Sequence, residues 1–286
     1  MKHIKTSIGK RQEEVKLISL LTEIADIFRD FENQNPGEIK RKNNIHRDIV
    51  TEVDQKIHRL VYDFSKINDI DVFVSEEGKL DKNLILSKEK KYLILDPLDG
   101  TLSYVKKLNY FCTMIAILEG GLITYSALCI PSKKQIVTYD TMLNKFESSR
   151  KVELDSNYSE GATYFAYPSK QDFNDQVLKK EIIDLIDVDS SGLFRLGSAG
   201  YGFYLTLQGK LCSFIGQKVK IWDAIAFLPL AERVNLHTAY FLIGYDLYLI
   251  ASWNLEFFKK ALNLFLKNNI EMKIYKNNKD LTVFYK

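Results

Sequence analysis

The sequence predicts an α+β fold, and three observations predict it. Two amphipathic helices open the chain, with apolar residues at three- and four-residue intervals. Strand-like runs joined by tight turns follow between residues 110 and 139, the signature of an antiparallel meander. Beyond them helices and strands mix without the regular alternation that a doubly wound sheet requires.

The elements follow in order. Residues 12–34 carry Val15, Ile18, Leu21, Ile24, Ala25, Phe28 and Phe31, a helical stripe closed by Asn35-Pro36-Gly37. A second helix follows Arg47-Asp48, with Ile49, Val53, Ile57, Leu60, Val61 and Phe64 on one side. Thr51 and Asp54 lie three apart and share a face near its start. A short strand at 71–74 ends in Ser75-Glu76-Glu77-Gly78. The apolar strand 92–95 then stops at Asp96-Pro97-Leu98-Asp99-Gly100-Thr101, where the fixed φ and missing N–H of Pro97 rule against a helix. The meander comprises 111–118, a Gly120-Gly121 turn, 122–130, a turn at Pro131, and 135–139. The polar stretch 147–161 is the expected boundary between two packed halves, about 1–150 and 151–286. The second half reads as a strand at 162–167, a helix near 174–186 and the segment 193–196. Gly197-Ser198-Ala199-Gly200 then opens a helix to about 207. A strand at 210–215, a helix starting at 221–226, a strand at 248–252 and a closing helix at 255–265 complete it.

Composition narrows the function. The 286 residues suffice for one large domain, and 46% hydrophobic with 27% charged content is ordinary for a soluble globular protein. A net charge of +3 with scattered Lys and Arg argues against extended nucleic-acid binding; Lys10-Arg11 and Lys40-Arg41-Lys42 read as solvated surface. Cys112, Cys129 and Cys212 are widely spaced and set among apolar neighbours, which points to buried thiols of a reducing compartment rather than zinc or disulfides. Met1-Lys2-His3-Ile4-Lys5 lacks an apolar signal core. The least charged stretches, 112–131 and 238–253, are interrupted by Glu119 and Asp246 and so fall short of the ~20 apolar residues of a spanning helix. A cytoplasmic protein is expected.

The acidic residues at the strand ends carry the chemistry. Asp96 and Asp99 are close enough to repel, so at neutral pH they need a cation or a shared proton. Backbone N–H groups at Gly100-Thr101 suit an anion. Singly, Glu76-Glu77 reads as a solvated loop, Asp96 as a turn former and Asp223 as a helix cap. Adjacent strand ends would bring Glu76 to Asp96 and Asp99, and oxygen ligands without His or Cys select Mg²⁺, Ca²⁺ or Mn²⁺ over zinc.

The pattern Asp48-Ile49-Val50-Thr51-Glu52-Val53-Asp54, then Glu76-Glu77, then Asp96-Pro97-Leu98-Asp99-Gly100-Thr101, then Trp222-Asp223-Ala224-Ile225-Ala226 resembles the inositol monophosphatase superfamily. These are lithium-sensitive, Mg²⁺-dependent phosphomonoesterases, and the likeness runs over roughly the whole chain. It implies a layered αβαβα sandwich of the inositol monophosphatase / fructose-1,6-bisphosphatase type and a homodimer acting on a small phosphorylated metabolite. It implies further that Glu76, Asp96 and the Leu98 carbonyl hold one metal, and that Asp96, Asp99 and Asp223 hold a second. Glu77 would support a weaker third, giving two to three Mg²⁺. Gly100 and Thr101 would bind phosphate, with Gly197, Ser198 and Ala199 on the substrate side. The Thr101 hydroxyl, oriented by Asp54 and paired with Glu76, would position and deprotonate a metal-activated water that attacks phosphorus directly.

The substrate side departs from the family. Inositol-specific members carry an acidic residue seven positions before the Asp223 equivalent; here Gly216 stands there, followed by Gln217, Lys218 and Lys220. The two lysines read either as surface or as a pocket for extra negative charge. The second reading points to the branch that acts on 3′-phosphoadenosine 5′-phosphate. That branch's basic residues are absent, since Leu102 follows Thr101 and Gly200 closes Ser198-Ala199-Gly200. Glu232-Arg233-Val234-Asn235 and Asn144-Lys145-Phe146 replace expected glycine-rich turns, and Arg195 is either a substrate neighbour or an ion-pair partner. A non-catalytic metal- or phosphate-binding relative is the alternative of a different class.

Overall fold

Two six-stranded sheets organise the structure, a computed structural model that describes residues 2–32, 39–41, 49–79, 86–151, 160–168 and 172–275, with side chains of the first helix from Lys16 to Phe31. Helix α1 (Lys2–Glu32) leads to the paired two-residue strands β1 (Lys40–Arg41) and β2 (Ile49–Val50), then to α2 (Glu52–Ile67). The first sheet comprises β3 (Val72–Ser75), β4 (Tyr92–Asp99), β5 (Cys112–Glu119), β6 (Leu122–Ile130), β7 (Gln135–Asp140) and β8 (Lys145–Ser148) in sequence order. Only β3 and β4 are parallel in it. The short helix α3 (Thr101–Val105) lies between β4 and β5.

The remaining elements are β9 (Thr163–Ala166), α4 (Phe173–Asp189), β10 (Leu193–Phe194), α5 (Ala199–Leu207), β11 (Ser213–Lys220), α6 (Ile221–Ala224) and α7 (Phe227–Arg233). They continue through β12 (His237–Ile243), β13 (Asp246–Ser252), α8 (Leu255–Lys267) and β14 (Lys273–Ile274). The second sheet has the order β10-β9-β11-β13-β12-β14, parallel across its first three strands and antiparallel beyond.

Alternation along the strands sets the layers. On β4, Leu93 and Leu95 join the core under α1 and α2, while Tyr92 and Ile94 join the core around α5, α6 and α7. On β13, Leu247, Leu249 and Ala251 face that same middle layer, and Tyr248 and Ile250 face α4 and α8. The result is α1/α2, sheet, α5–α7, sheet, α4/α8: an α+β sandwich of five layers. Both sheets are covered on both faces, which explains strands that read as unbroken apolar runs.

Several expectations shift. Ile49 belongs to β2 rather than to the second helix, which begins after Thr51. The strand expected to stop at 95 runs to Asp99, and the one expected at 210–215 is Ser213–Lys220. One expected helix after 221 is two, α6 and α7. β8, β12 and β14 were not anticipated. β8 is a charged edge strand, with Lys145 and Glu147 giving it no apolar signal, and β14 has only two residues. Asn144 (φ 50°) and Asn235 (φ 66°) adopt the left-handed turns where glycine was expected, a conformation asparagine tolerates. Asn35-Pro36-Gly37 and Arg47-Asp48 lie outside the described residues, as do 152–159 of the expected boundary. All three cysteines are buried and free. Among the described residues no helix is long and apolar enough to cross a membrane.

Candidate active site

A bulge in β4 puts two carboxylates on one face. Residues three apart on a regular strand point to opposite faces. Here Asp96 pairs with Met114 and Asp99 with Cys112, two residues apart on β5, so the extra residue on β4 turns both acids toward the middle layer. Pro97 sits in the bulge, where a missing N–H breaks no ladder bond. The Leu98 N–H donates to Asp96 Oδ1 (3.0 Å), and the Thr113 hydroxyl donates to the Pro97 carbonyl (2.7 Å). The local sequence thus locks the acid that the resemblance makes the bridging ligand.

Asp99 is held by the start of α5. Its carboxylate accepts from the Ser198 hydroxyl (2.6 Å), the Ala199 N–H (3.2 Å) and the Gly200 N–H (2.5 Å). Ser198 also caps α5, accepting from the Tyr201 N–H, and its carbonyl accepts from the buried Tyr164 hydroxyl (2.7 Å). Gly200 has no room for a side chain. A Cβ there would lie 2.3 Å from Cys112 Sγ, 2.8 Å from Met114 Sδ and 2.9 Å from Asp99 Oδ2. Gly200→Ala is therefore expected to lower stability by roughly 1–3 kcal/mol through overpacking. Urea unfolding should show a lower midpoint at unchanged slope; an unshifted midpoint contradicts the packing described.

Asp223, at the α6 start, comes from the second half of the chain. Its Oδ2 accepts from the Lys220 N–H (3.2 Å), and its carboxyl stands at hydrogen-bonding range of Asp96. Glu76 follows β3, whose parallel pairing with β4 sets the Glu76 N–H on the Leu95 carbonyl (3.3 Å). Burial first, then the charges of Glu76, Asp99 and Asp223, hold Asp96 well above the usual carboxylate range. Asp223 is raised likewise by burial and then by Asp99 and Glu76. Burial lifts Asp99 to about 6 although its α5 hydrogen bonds favour the ionised form.

Among the described residues no lysine or arginine pairs with Asp96, Asp99 or Asp223. Mutually repelling, desolvated oxygen donors fit a hard divalent cation. Their present orientation is not a finished cage. Among the described residues no three acidic, His or Cys side chains surround one point closely enough to hold an ion, and Asp99 is turned toward α5.

Thr101 and Asp54 face each other. Asp54 is fully buried; its Oδ2 accepts from the Thr51 N–H (2.7 Å) and hydroxyl (2.5 Å). Its Oδ1 lies 3.4 Å from the Thr101 hydroxyl, which donates more closely to the Leu98 carbonyl (2.9 Å). Gly100, at φ 88°, makes the turn into α3, and a Cβ would lie 2.6 Å from the Tyr110 carbonyl. Only glycine fits that turn. Glu77 is partly exposed beside Ser75, and Gly197 is exposed.

Three basic residues are redirected. The Lys218 ammonium bonds Asp175 (2.6 Å) and Asp172 (3.3 Å) at the α4 start, and Lys220 bonds Asp246 (2.5 Å). Neither presents the uncompensated charge expected of a bisphosphate pocket. Arg195 lies 3.8 Å from the Tyr167 ring centroid and donates to that residue's carbonyl, and among the described residues it makes no ion pair. Sequence reading missed the roles of Thr113 and Tyr164. Each looks like an ordinary strand residue, and no local pattern marks it.

A family model described as the inositol monophosphatase family matches residues 11–233. The fructose-1,6-bisphosphatase/inositol-1-monophosphatase of Thermotoga maritima is 23% identical over 189 residues, covering 66% of this chain and 70% of that protein. The Nus factor SuhB of Escherichia coli K12 is 22% identical over 206 residues, covering 70% and 74%. A Staphylococcal inositol monophosphatase-1, solved as a lithium-soaked inhibitory complex, superposes with TM-score 0.72 at 19% identity, over 93% of this chain and 98% of that one. An IMPase/NADP phosphatase complexed with Mg²⁺ and phosphate gives 0.71 at 20% identity, with the same coverage. At such identities the superpositions show a common fold.

Proposed function

Since this chain belongs to the inositol monophosphatase family, we propose that it is a Mg²⁺-dependent phosphate monoester hydrolase of the inositol monophosphatase kind. The observation that carries this reading is the buried pair Asp96 and Asp223, brought together from β4 and α6 with Glu76 and Asp99 in electrostatic reach and no basic partner for the three aspartates among the described residues. Glu76, Asp96, Asp99, Asp223 and the Leu98 carbonyl would hold the ions, with Glu77 at a third site. Divalent cations bound there would neutralise a phosphate dianion and make water nucleophilic at neutral pH.

The chain's own residues do the positioning. The Thr101 hydroxyl donates to the Leu98 carbonyl, with the Asp54 carboxylate a more distant acceptor, so its lone pairs remain to orient an attacking water. Glu76 takes the proton, and the Gly100 and Thr101 N–H groups receive the phosphate. Gly197, Ser198 and Ala199 border the substrate. The first half of the chain, about 1–150, supplies most ligands and the second supplies Asp223. Neutralised Lys218 and Lys220 support a single-phosphate substrate over a bisphosphate. Family kinship supports a cytoplasmic homodimer acting on a small metabolite.

One observation favours a second, non-catalytic reading: the likeness to a protein named as a Nus factor. A side-by-side assay with Mg²⁺ separates the two. Inositol 1-phosphate is expected to be hydrolysed faster than 3′-phosphoadenosine 5′-phosphate or fructose 1,6-bisphosphate. Absence of Mg²⁺-dependent phosphate release from a broad monoester panel supports the non-catalytic role instead.

A further inference from the structure

A cavity of about 640 Å³ lies at the edge of the α1/sheet layer, lined by residues of α1, α3, β6, β7 and the loops joining them. None of the residues assigned above to metal or water lines it. Its volume is in the range of small-molecule sites, roughly 300–1,000 Å³.

The floor is aromatic. Phe28, Tyr104 and Phe111 pack against one another at centroid distances of 5.2–6.1 Å, and Phe31 and Cys129 extend the apolar surface. Such rings favour a flat apolar body laid against them. The mouth is cationic. Arg29, Lys107 and Lys134 line it, and no acidic residue does among the described lining residues. Arg29 pairs with Asp26 along its own helix, whereas Lys107 and Lys134 have no carboxylate partner among the described residues.

The backbone at this mouth is unusual as well. Lys107 (φ 57°), Asn109 (φ 61°) and Lys134 (φ 50°) all occupy the left-handed region that L-residues rarely adopt. The Ser132 hydroxyl donates to the Asn109 carbonyl (2.9 Å) and ties the two lysine-bearing loops together. Non-glycine residues in this region cluster where surrounding structure imposes them, ligand clamps among the settings.

We infer that this cavity binds a small aromatic organic anion, its ring against Phe28, Tyr104 and Phe111 and its acidic head between Lys107 and Lys134. The inference is independent of the phosphatase reading.

Isothermal titration of the full chain with 2-naphthoate tests it, with the uncharged 2-naphthamide as comparator. One saturable site per chain is expected for naphthoate, tighter than for the amide and weakened by salt. Exposed ion pairs are individually modest, so reversing both charges in Lys107→Glu/Lys134→Glu should weaken naphthoate about tenfold while leaving the amide unchanged. Should the reversed variant melt early, Lys107→Gln/Lys134→Gln provides the same comparison with a smaller loss. Equal affinities for the two ligands, an unaffected variant, or no saturable site overturns the proposal. Stoichiometry below one that falls with protein concentration, the sign of a second copy over the mouth, overturns it too.

Discussion

Asp96→Asn and Asp223→Asn are expected to abolish Mg²⁺-dependent phosphate release while making the metal-free protein more stable. Both acids are pushed well above the usual carboxylate range by burial and by neighbouring acids. In metal-free protein at neutral pH they are therefore a liability, and a neutral amide of the same shape relieves it. Turnover responds oppositely. Divalent ions contribute several kcal/mol to transition-state charge stabilisation, so losing one of the proposed ligands should slow the reaction by roughly 10³-fold or more. Two measurements on each variant separate the effects: phosphate release at saturating Mg²⁺, and thermal unfolding in chelator. Near wild-type turnover in either variant sinks the proposed ligand set. Lost turnover with a lowered melting temperature in chelator would instead point to damaged folding.

The metal-free protein is expected to lose stability as pH rises from about 5 to 8, and Mg²⁺ is expected to reverse that loss. A carboxyl that holds its proton more tightly folded than unfolded favours the folded state at low pH. That advantage is complete below the unfolded value and is gone once pH passes the folded one. Asp99 moves from 3.8 to about 6. At one unit per 1.36 kcal/mol, its full shift is worth about 3 kcal/mol, withdrawn between about pH 4 and 7, so roughly half of it falls above pH 5. Asp96 and Asp223 act in the same direction. Glu181, Asp172 and Glu256, all lowered, act oppositely, but solvent screens them. Urea unfolding in chelator and in Mg²⁺ across this range measures both slopes. Chelated protein that grows steadily more stable up to pH 8, or that gains nothing from Mg²⁺ there, contradicts the electrostatics described.

Much of this was legible from local pattern. The stripe through Leu21, Ile24 and Phe28 and the runs at 92–95 and 122–130 register burial directly, since periodicity is a projection of geometry onto sequence. The Thr51/Asp54 pair was legible for the same reason: three residues on one helix turn meet whatever the rest of the chain does. β8 and β14 were not legible, because a charged edge and a two-residue strand carry no burial signal. Lys218 and Lys220 could not be assigned from sequence, for their partners Asp175, Asp172 and Asp246 are 26 to 46 residues away.

From its own residues, then, the chain declares an α+β protein with an acidic strand end and a turn that only Gly100 can make, because backbone sterics and side-chain periodicity act over a few neighbours. Folding decided the rest. A one-residue bulge set Asp96 and Asp99 on a common face, the α5 start claimed Asp99, and α6 carried Asp223 to Asp96. The last two are relations between segments a hundred or more residues apart, and carboxylate repulsion depends on distance in space rather than along the chain.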